Sequence, residues 1–129
     1  MSGRHHEHRI LILDDDPLVL DFLTEFLKRK GHVVAGILTP DKIESAVTEY
    51  KCDAAVVDIR LKGDDGLQYI PKIRNLMPTG APVVVFTALG YKEEEMQRAL
   101  KMGARGFVSK LLPPEDLYAA LISAFGSKA

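Results

Sequence analysis

Asp53-Ala54-Ala55-Val56-Val57-Asp58 is an apolar run that stops at a carboxylate. The run is short, rich in Val and Ala and free of polar alternation, as a strand buried on both faces reads. Such strands belong to parallel sheets covered by helices, and those sheets hold their ligands at the carboxyl ends of the strands. Asp58 therefore stands where a fold of this kind does its chemistry.

Toward the N-terminus, Arg9-Ile10-Leu11-Ile12-Leu13 reads as a first buried strand running into Asp14-Asp15-Asp16-Pro17. Asp16 suits the cap of a first helix and Pro17 its first turn, where the missing N–H costs nothing. Val19, Leu20, Phe22, Leu23, Phe26 and Leu27 give that helix an apolar face, Lys28, Arg29 and Lys30 suit its C-terminal end, and Gly31 stops it. Residues 32–38 form a second strand, less uniformly apolar and so at the sheet edge. Thr39-Pro40 opens a second helix with a stripe of Ile43, Ala46, Val47 and Tyr50.

Toward the C-terminus, a loop over residues 59–66 leads to a third helix with Leu67, Ile70, Ile73 and Leu76 or Met77 inward. Pro71 lies about a turn into it, as a kink. Residues 78–82 break the chain, and Val83-Val84-Val85-Phe86-Thr87 is a fourth buried strand left through Ala88-Leu89-Gly90. A fourth helix spans about 92–102, acids first and Lys101 last, the order its dipole prefers. Gly106-Phe107-Val108-Ser109 is a short fifth strand closed by Lys110. Pro113-Pro114 introduces a fifth helix with Leu117, Ala120, Leu121 and Ala124 buried. Five strands alternating with five helices predict an α/β, flavodoxin-like, doubly wound parallel sheet of order 2-1-3-4-5.

The 129 residues make one domain, and the apolar (47 %) and charged (27 %) fractions are those of a soluble globular protein. A net charge of -1 predicts no direct nucleic-acid binding. No apolar run reaches the ~20 residues that cross a bilayer, and the polar start is no secretory signal. The single Cys52 cannot form an internal disulfide, which fits a cytoplasmic setting. Residues 1–8 are expected to be a disordered tail, in which His5, His6 and His8 are a metal site or a tag remnant only as the lesser reading. The domain spans 9–125, and 126–129 is a C-terminal tail.

Four strand exits carry polar residues: Asp14, Asp15 and Asp16 after the first, Asp58 after the third, Thr87 after the fourth and Lys110 after the fifth. In the order 2-1-3-4-5 the crevice opens between strands one and three, with the acids beside Asp58. Two carboxylates ~4 Å apart repel by about 4 kcal/mol at an effective dielectric of ~20, so such a cluster holds protons or a cation. With oxygen ligands alone the cation is hard. Mg²⁺ fits best, and Mn²⁺ would serve the same ligands. Thr87 and Lys110 opposite the metal cradle an oxyanion, and Asp58 is placed to be the nucleophile that forms an aspartyl phosphate. Singly these residues are ordinary: Asp16 suits a helix cap, Thr87 a loop contact and Lys110 a solvated lysine. Their convergence is what is specific.

These residues resemble the receiver domain of two-component response regulators over about residues 9–125. Leu13-Asp14-Asp15-Asp16-Pro17 is similar to the family's acidic motif, and Asp58 with Gly63, Asp65 and Gly66 to its phosphoacceptor segment. Phe86-Thr87-Ala88 resembles the switch threonine with its small neighbour, and residues 103–110 the segment carrying the aromatic switch residue and the lysine. The resemblance implies that Asp15 ligates Mg²⁺ directly, Asp14 helps through water, and Asp58 and the backbone carbonyl of Arg60 supply further oxygens. It implies that a sensor histidine kinase, a phosphotransfer protein or a small phosphodonor phosphorylates Asp58. Thr87 then moves to the phosphate, Phe107 turns inward, and the helix 4–strand 5–helix 5 surface meets an effector, an output domain or a second copy. Any catalysis is of transfer to, and hydrolysis from, its own Asp58. Leu111-Leu112 follows Lys110 where the family often has Pro, and Pro113 comes later, as in the branch that commonly carries helix-turn-helix output domains. Lys62 also stands where many members have Pro. Arg60 and Leu89 occupy positions that tune access of the hydrolytic water.

Rival readings are weaker. A haloacid-dehalogenase-type phosphatase would use Asp14 and Asp16, but Leu18 stands where it wants Thr or Val, and the chain lacks a cap domain. A flavodoxin would not place three acids at its phosphate loop. A non-phosphorylated docking module of the same fold would usually have lost an acid, Thr87 or Lys110.

Overall fold

The computed structural model describes residues 7–88 and 92–126. The chain runs β1 (Arg9–Leu13), α1 (Pro17–Arg29), β2 (Val33–Ile37), α2 (Ile43–Tyr50), β3 (Ala54–Val57), α3 (Ile70–Leu76), β4 (Val83–Thr87), α4 (Glu93–Lys101), β5 (Gly106–Ser109) and α5 (Pro114–Gly126). The five strands form one parallel sheet in the order β2-β1-β3-β4-β5. This is the flavodoxin-like, doubly wound arrangement that the alternation predicts, and its strand order reverses between β1 and β3.

Both faces of the sheet are covered, which is why the strands read as continuous apolar runs. Side chains alternate along each strand. Leu11, Leu13, Ala55, Val57, Val83 and Val85 pack with Ile43, Val47, Ile70 and Ile73 of α2 and α3. Ile10, Ile12, Ala54, Val56, Val84 and Phe86 pack with Leu20, Leu23, Leu27, Leu117 and Leu121 of α1 and α5. All four residues of β3 are buried, so the strand carrying Asp58 at its exit is central and fixed from both sides.

Several local expectations are corrected. Pro71 does not kink α3: the chain first makes a 3₁₀ turn over Gly66–Tyr69, so the α-helix starts late and Pro71 falls in its opening turn, where its missing N–H breaks no bond. Thr39 makes no side-chain cap bond, and Pro40–Lys42 is a 3₁₀ turn ahead of α2. Phe22 and Tyr50 are 56 % and 39 % exposed, because each lies at the margin of its helical stripe rather than over the sheet. Met77 is the buried member of the Leu76/Met77 pair. The expected loop after β3 contains a small antiparallel pairing of Arg60–Leu61 with Asp64–Asp65, turned at Gly63 with φ 65°.

His8 is packed rather than frayed. Its N–H donates to His32 Nδ1 at 3.0 Å, its carbonyl accepts from Val33 N at 3.0 Å, and its ring stacks on Phe125 with centroids 3.5 Å apart. His8 is thus tied to His32, Val33 and Phe125, and α5 runs to Gly126. His5, His6, Leu89 and residues 127–129 lie outside the described residues. Among the described residues no helix is long and apolar enough to cross a membrane.

Candidate functional site

The strand exits deliver their side chains to the crevice between β1 and β3. Asp58 N donates to Leu13 O at 2.9 Å, which extends the β1–β3 ladder by one bond and fixes Asp58 beside the acidic run. Asp14 is buried, with its N–H on Ile37 O at 3.2 Å and its Oδ1 accepting from Asp16 N at 3.0 Å. Asp15 Oδ2 accepts from Lys62 N at 2.6 Å, in the loop after β3. Asp16 caps α1, its Oδ1 accepting from Leu18 N at 3.0 Å. A side chain committed to a cap is not a phosphatase's acid, so the reading that needs Asp14 and Asp16 as a catalytic pair loses its second member.

Lys110 joins the cluster from β5. Its N–H donates to Thr87 O at 2.7 Å, continuing the β4–β5 ladder past the strand end. Its ammonium lies 2.6 Å from Asp14 Oδ2 and 3.2 Å from Asp58 Oδ2, with the Phe86 ring centroid 5.6 Å away. Thr87 is buried at the same sheet edge. Phe107 is half-buried against the core under α2 and α3 and pairs with Val85 across the sheet. The loop after Lys110 is a turn held by Leu111 N on Ser109 Oγ at 3.0 Å and Leu112 N on Ser109 O at 3.2 Å.

Charge is unbalanced here. Burial pushes the Asp58 carboxyl up to about 6, against the pull of the Lys110 ammonium and with the help of the Asp14 charge. Burial alone would lower the Lys110 pKa, but its hydrogen bond to Asp14 and the charges of Asp58 and Asp14 raise it overall. One ammonium thus faces more carboxylate than it can neutralise. Asp14, Asp15 and Asp58 each bring an oxygen within 4.8 Å of the others, and Asp14 Oδ2 is buried without a hydrogen bond of good geometry. All the donors are oxygen, so the set fits a hard divalent cation. Arg60 N donates to Asp58 Oδ1 at 3.2 Å, tying the next loop residue but one to the same carboxylate.

Comparison with known proteins gives this constellation its family. The response regulator receiver domain profile matches residues 10–122. The chain belongs to that family. Receiver domains serve phosphorylation-based signalling in two-component systems. The two-component response regulator PhoP of Pseudomonas aeruginosa is 31 % identical over 113 residues, 88 % of this chain and 49 % of the relative. A solved two-component response regulator from Clostridium difficile superposes with TM-score 0.82 at 28 % identity, covering 93 % of this receiver domain and 97 % of that chain. A response regulator from Burkholderia pseudomallei, solved with a phosphorylated aspartic acid, calcium ion and citrate, gives TM-score 0.83 at 26 % identity, covering 93 % of this chain and 69 % of that one. The receiver domain spans about half the length of the curated relatives it matches.

Several contacts around the site have no local signal in the sequence, though Arg60, Asp65 and Gly66 themselves are singled out there. A Cβ on Gly66 would sit 1.8 Å from the Asp58 carbonyl oxygen, so any other residue here would force the backbone to move. Two ion pairs, Arg60–Glu95 at 2.6 Å and Arg98–Asp65, join the loop after β3 to α4. Leu18, Phe22, Leu111 and Leu112 are exposed, and Phe22 and Leu112 line a cavity of about 110 Å³ that Lys110 also lines.

Proposed function

We propose that this receiver domain is a phosphorylation switch in which Asp58 accepts a phosphoryl group in a Mg²⁺-dependent reaction. The observation that carries the reading is the Lys110 ammonium set between Asp14 and Asp58 at the switch point of the sheet, with Asp15 completing a carboxylate triad. Asp14, Asp15 and Asp58, with the Arg60 carbonyl, would hold Mg²⁺, whose charge offsets that of the incoming phosphoryl group. The phosphorylated aspartate of the Burkholderia pseudomallei relative supports the assignment.

The chain's own residues supply positioning. Asp58 is buried and its carboxylate is oriented by Arg60 N–H, so one oxygen faces Lys110 and the crevice. Lys110 stabilises the charge on the transferred group, and Thr87 offers its hydroxyl to a phosphate oxygen once the group has arrived. Movement of Thr87 leaves room for Phe107 to turn inward, and the α4–β5–α5 face changes shape for an effector, an output domain or a second copy. Moving such an equilibrium from 1:99 to 99:1 takes ~5.5 kcal/mol of preference for the active state, within reach of charge-assisted bonds in a buried site. The donor is a sensor histidine kinase, a phosphotransfer protein or a small phosphodonor. Exposed Phe22 and Leu112, which line a cavity together with Lys110, offer apolar surface that a protein donor would cover to reach Asp58.

Intact-protein mass after incubation with phosphoramidate or acetyl phosphate tests the reading, with Asp58→Ala as control. One phosphoryl group gained only with Mg²⁺ and only when Asp58 is present is the expected result. A gain that survives loss of Asp58 would move the nucleophile elsewhere.

A further inference from the structure

We infer that Glu95 and Arg98 of α4 are positioning residues for the phosphoacceptor loop, acting through Arg60 and Asp65. The inference rests on the reading of Asp58 and its neighbours as a phosphoacceptor with a divalent cation.

Four charges form a two-by-two grid. Arg60 and Asp65 are cross-strand partners in the small pairing that follows Asp58. Glu95 and Arg98 are three residues apart on α4 and so share a face. The grid is crossed in charge: Arg60 Nη2 reaches Glu95 Oε2 at 2.6 Å, and Arg98 Nη2 pairs with Asp65 Oδ2. Each arm ends on a group that shapes the site. Arg60 N–H bonds Asp58 Oδ1 at 3.2 Å, and Asp65 Oδ1 accepts from Leu67 N at 3.0 Å, starting the turn that brings Gly66 under the Asp58 carbonyl.

Apolar packing does little of this tethering. Ala99 is the one buried residue of α4, and loop and helix face each other across a cleft of about 280 Å³ lined mostly by these charged side chains. Glu95 nevertheless turns its carboxylate inward, with Oε1 buried. Half-exposed pairs add little to global stability, so their effect lies in orientation. Because α4 belongs to the face proposed to signal outward, the grid couples that face directly to the acceptor loop, beside any route through Thr87 and Phe107. A partner that displaces α4 would then alter the acceptor site, and cation binding would in turn hold α4.

The test is Mg²⁺ affinity of the unphosphorylated protein, read from amide chemical shifts during titration, for Glu95→Gln, Arg60→Gln and the double variant. Positioning predicts that all three bind Mg²⁺ more weakly by a similar factor, roughly tenfold, since either single change already breaks the same link. A through-space charge effect predicts the opposite: Arg60→Gln tightens binding, Glu95→Gln weakens it, and the double variant returns to the starting affinity. That pattern, or no change in any variant, would overturn the inference. A second readout needs no metal: exchange of the Arg60 and Leu67 amide protons should be several-fold faster in Glu95→Gln and Arg98→Gln than in the parent. Unchanged exchange would equally overturn the inference. Failure of the parent to bind Mg²⁺ would instead count against the phosphoacceptor reading, with amide exchange still judging the grid.

Discussion

At the scale of single residues, Asp58 is a buried carboxylate that folding disfavours. Its pKa rises from 3.8 to about 6, so the folded state binds that proton more tightly than the unfolded chain does. The resulting stabilisation is complete below pH 3.8 and is lost as pH rises through about 6. Asp58→Asn should therefore be more stable than the parent at pH 8 without divalent cations, by about 1–3 kcal/mol. The difference should vanish near pH 4 and shrink when Mg²⁺ is added, both measurable by urea unfolding. A less stable Asn variant at pH 8 would mean that the Lys110 contact outweighs burial. Asp14, Asp15, Asp58, Thr87 and Lys110 were legible in the sequence because each sits where an apolar run stops, and strand ends in a parallel sheet share one edge. The partners of Arg60 were not, since Glu95 lies 35 positions away and nothing local announces the pairing.

At the scale of elements, the segment after β3 is where local signals gave out. Its Gly, Asp and Lys residues suit a loop, and neither the two-residue pairing of Arg60–Leu61 with Asp64–Asp65 nor the 3₁₀ turn has a periodicity long enough to read. Gly66 joins them at the closest backbone approach in the site, with its N–H on Ile59 O at 2.6 Å. Gly66→Ala places a methyl 1.8 Å from the Asp58 carbonyl oxygen, so backbone must move. Its expected cost is about 3 kcal/mol or more, seen as a lowered urea midpoint, together with slower phosphorylation because the displaced atom belongs to the proposed acceptor. A variant with parental midpoint and rate would show that the loop yields freely. Pro71 illustrates the same limit: its place in the opening turn follows only once the preceding 3₁₀ turn has delayed the helix.

At the scale of the whole molecule, strand order and the convergence of the strand-exit side chains on one sheet edge followed from the alternation of buried strands and helices with short connections. What one-dimensional patterns missed lies at the far end of the sheet. There His8, His32, Tyr118 and Phe125 clasp the start of β1 to α5, with His32 Nε2 2.9 Å from the Tyr118 hydroxyl and the His8 ring against Phe125. A polar histidine in a polar N-terminal run reads as tail, and only tertiary packing makes it part of the domain. Removing residues through His8 should lower stability by about 1–2 kcal/mol, through loss of the His8 backbone bonds and ring stack. Thermal unfolding of the chain shortened to begin at Arg9 measures this, and an unchanged Tm would return His8 to the tail.

Whether Asp58 carries the phosphoryl group can be read chemically. Borohydride reduces an aspartyl phosphate to homoserine, which marks the acceptor permanently for peptide mass spectrometry. After phosphorylation with phosphoramidate and Mg²⁺, homoserine is expected at position 58, and none when Mg²⁺ is withheld. Homoserine at position 14 or 15, with position 58 unmodified, would contradict it.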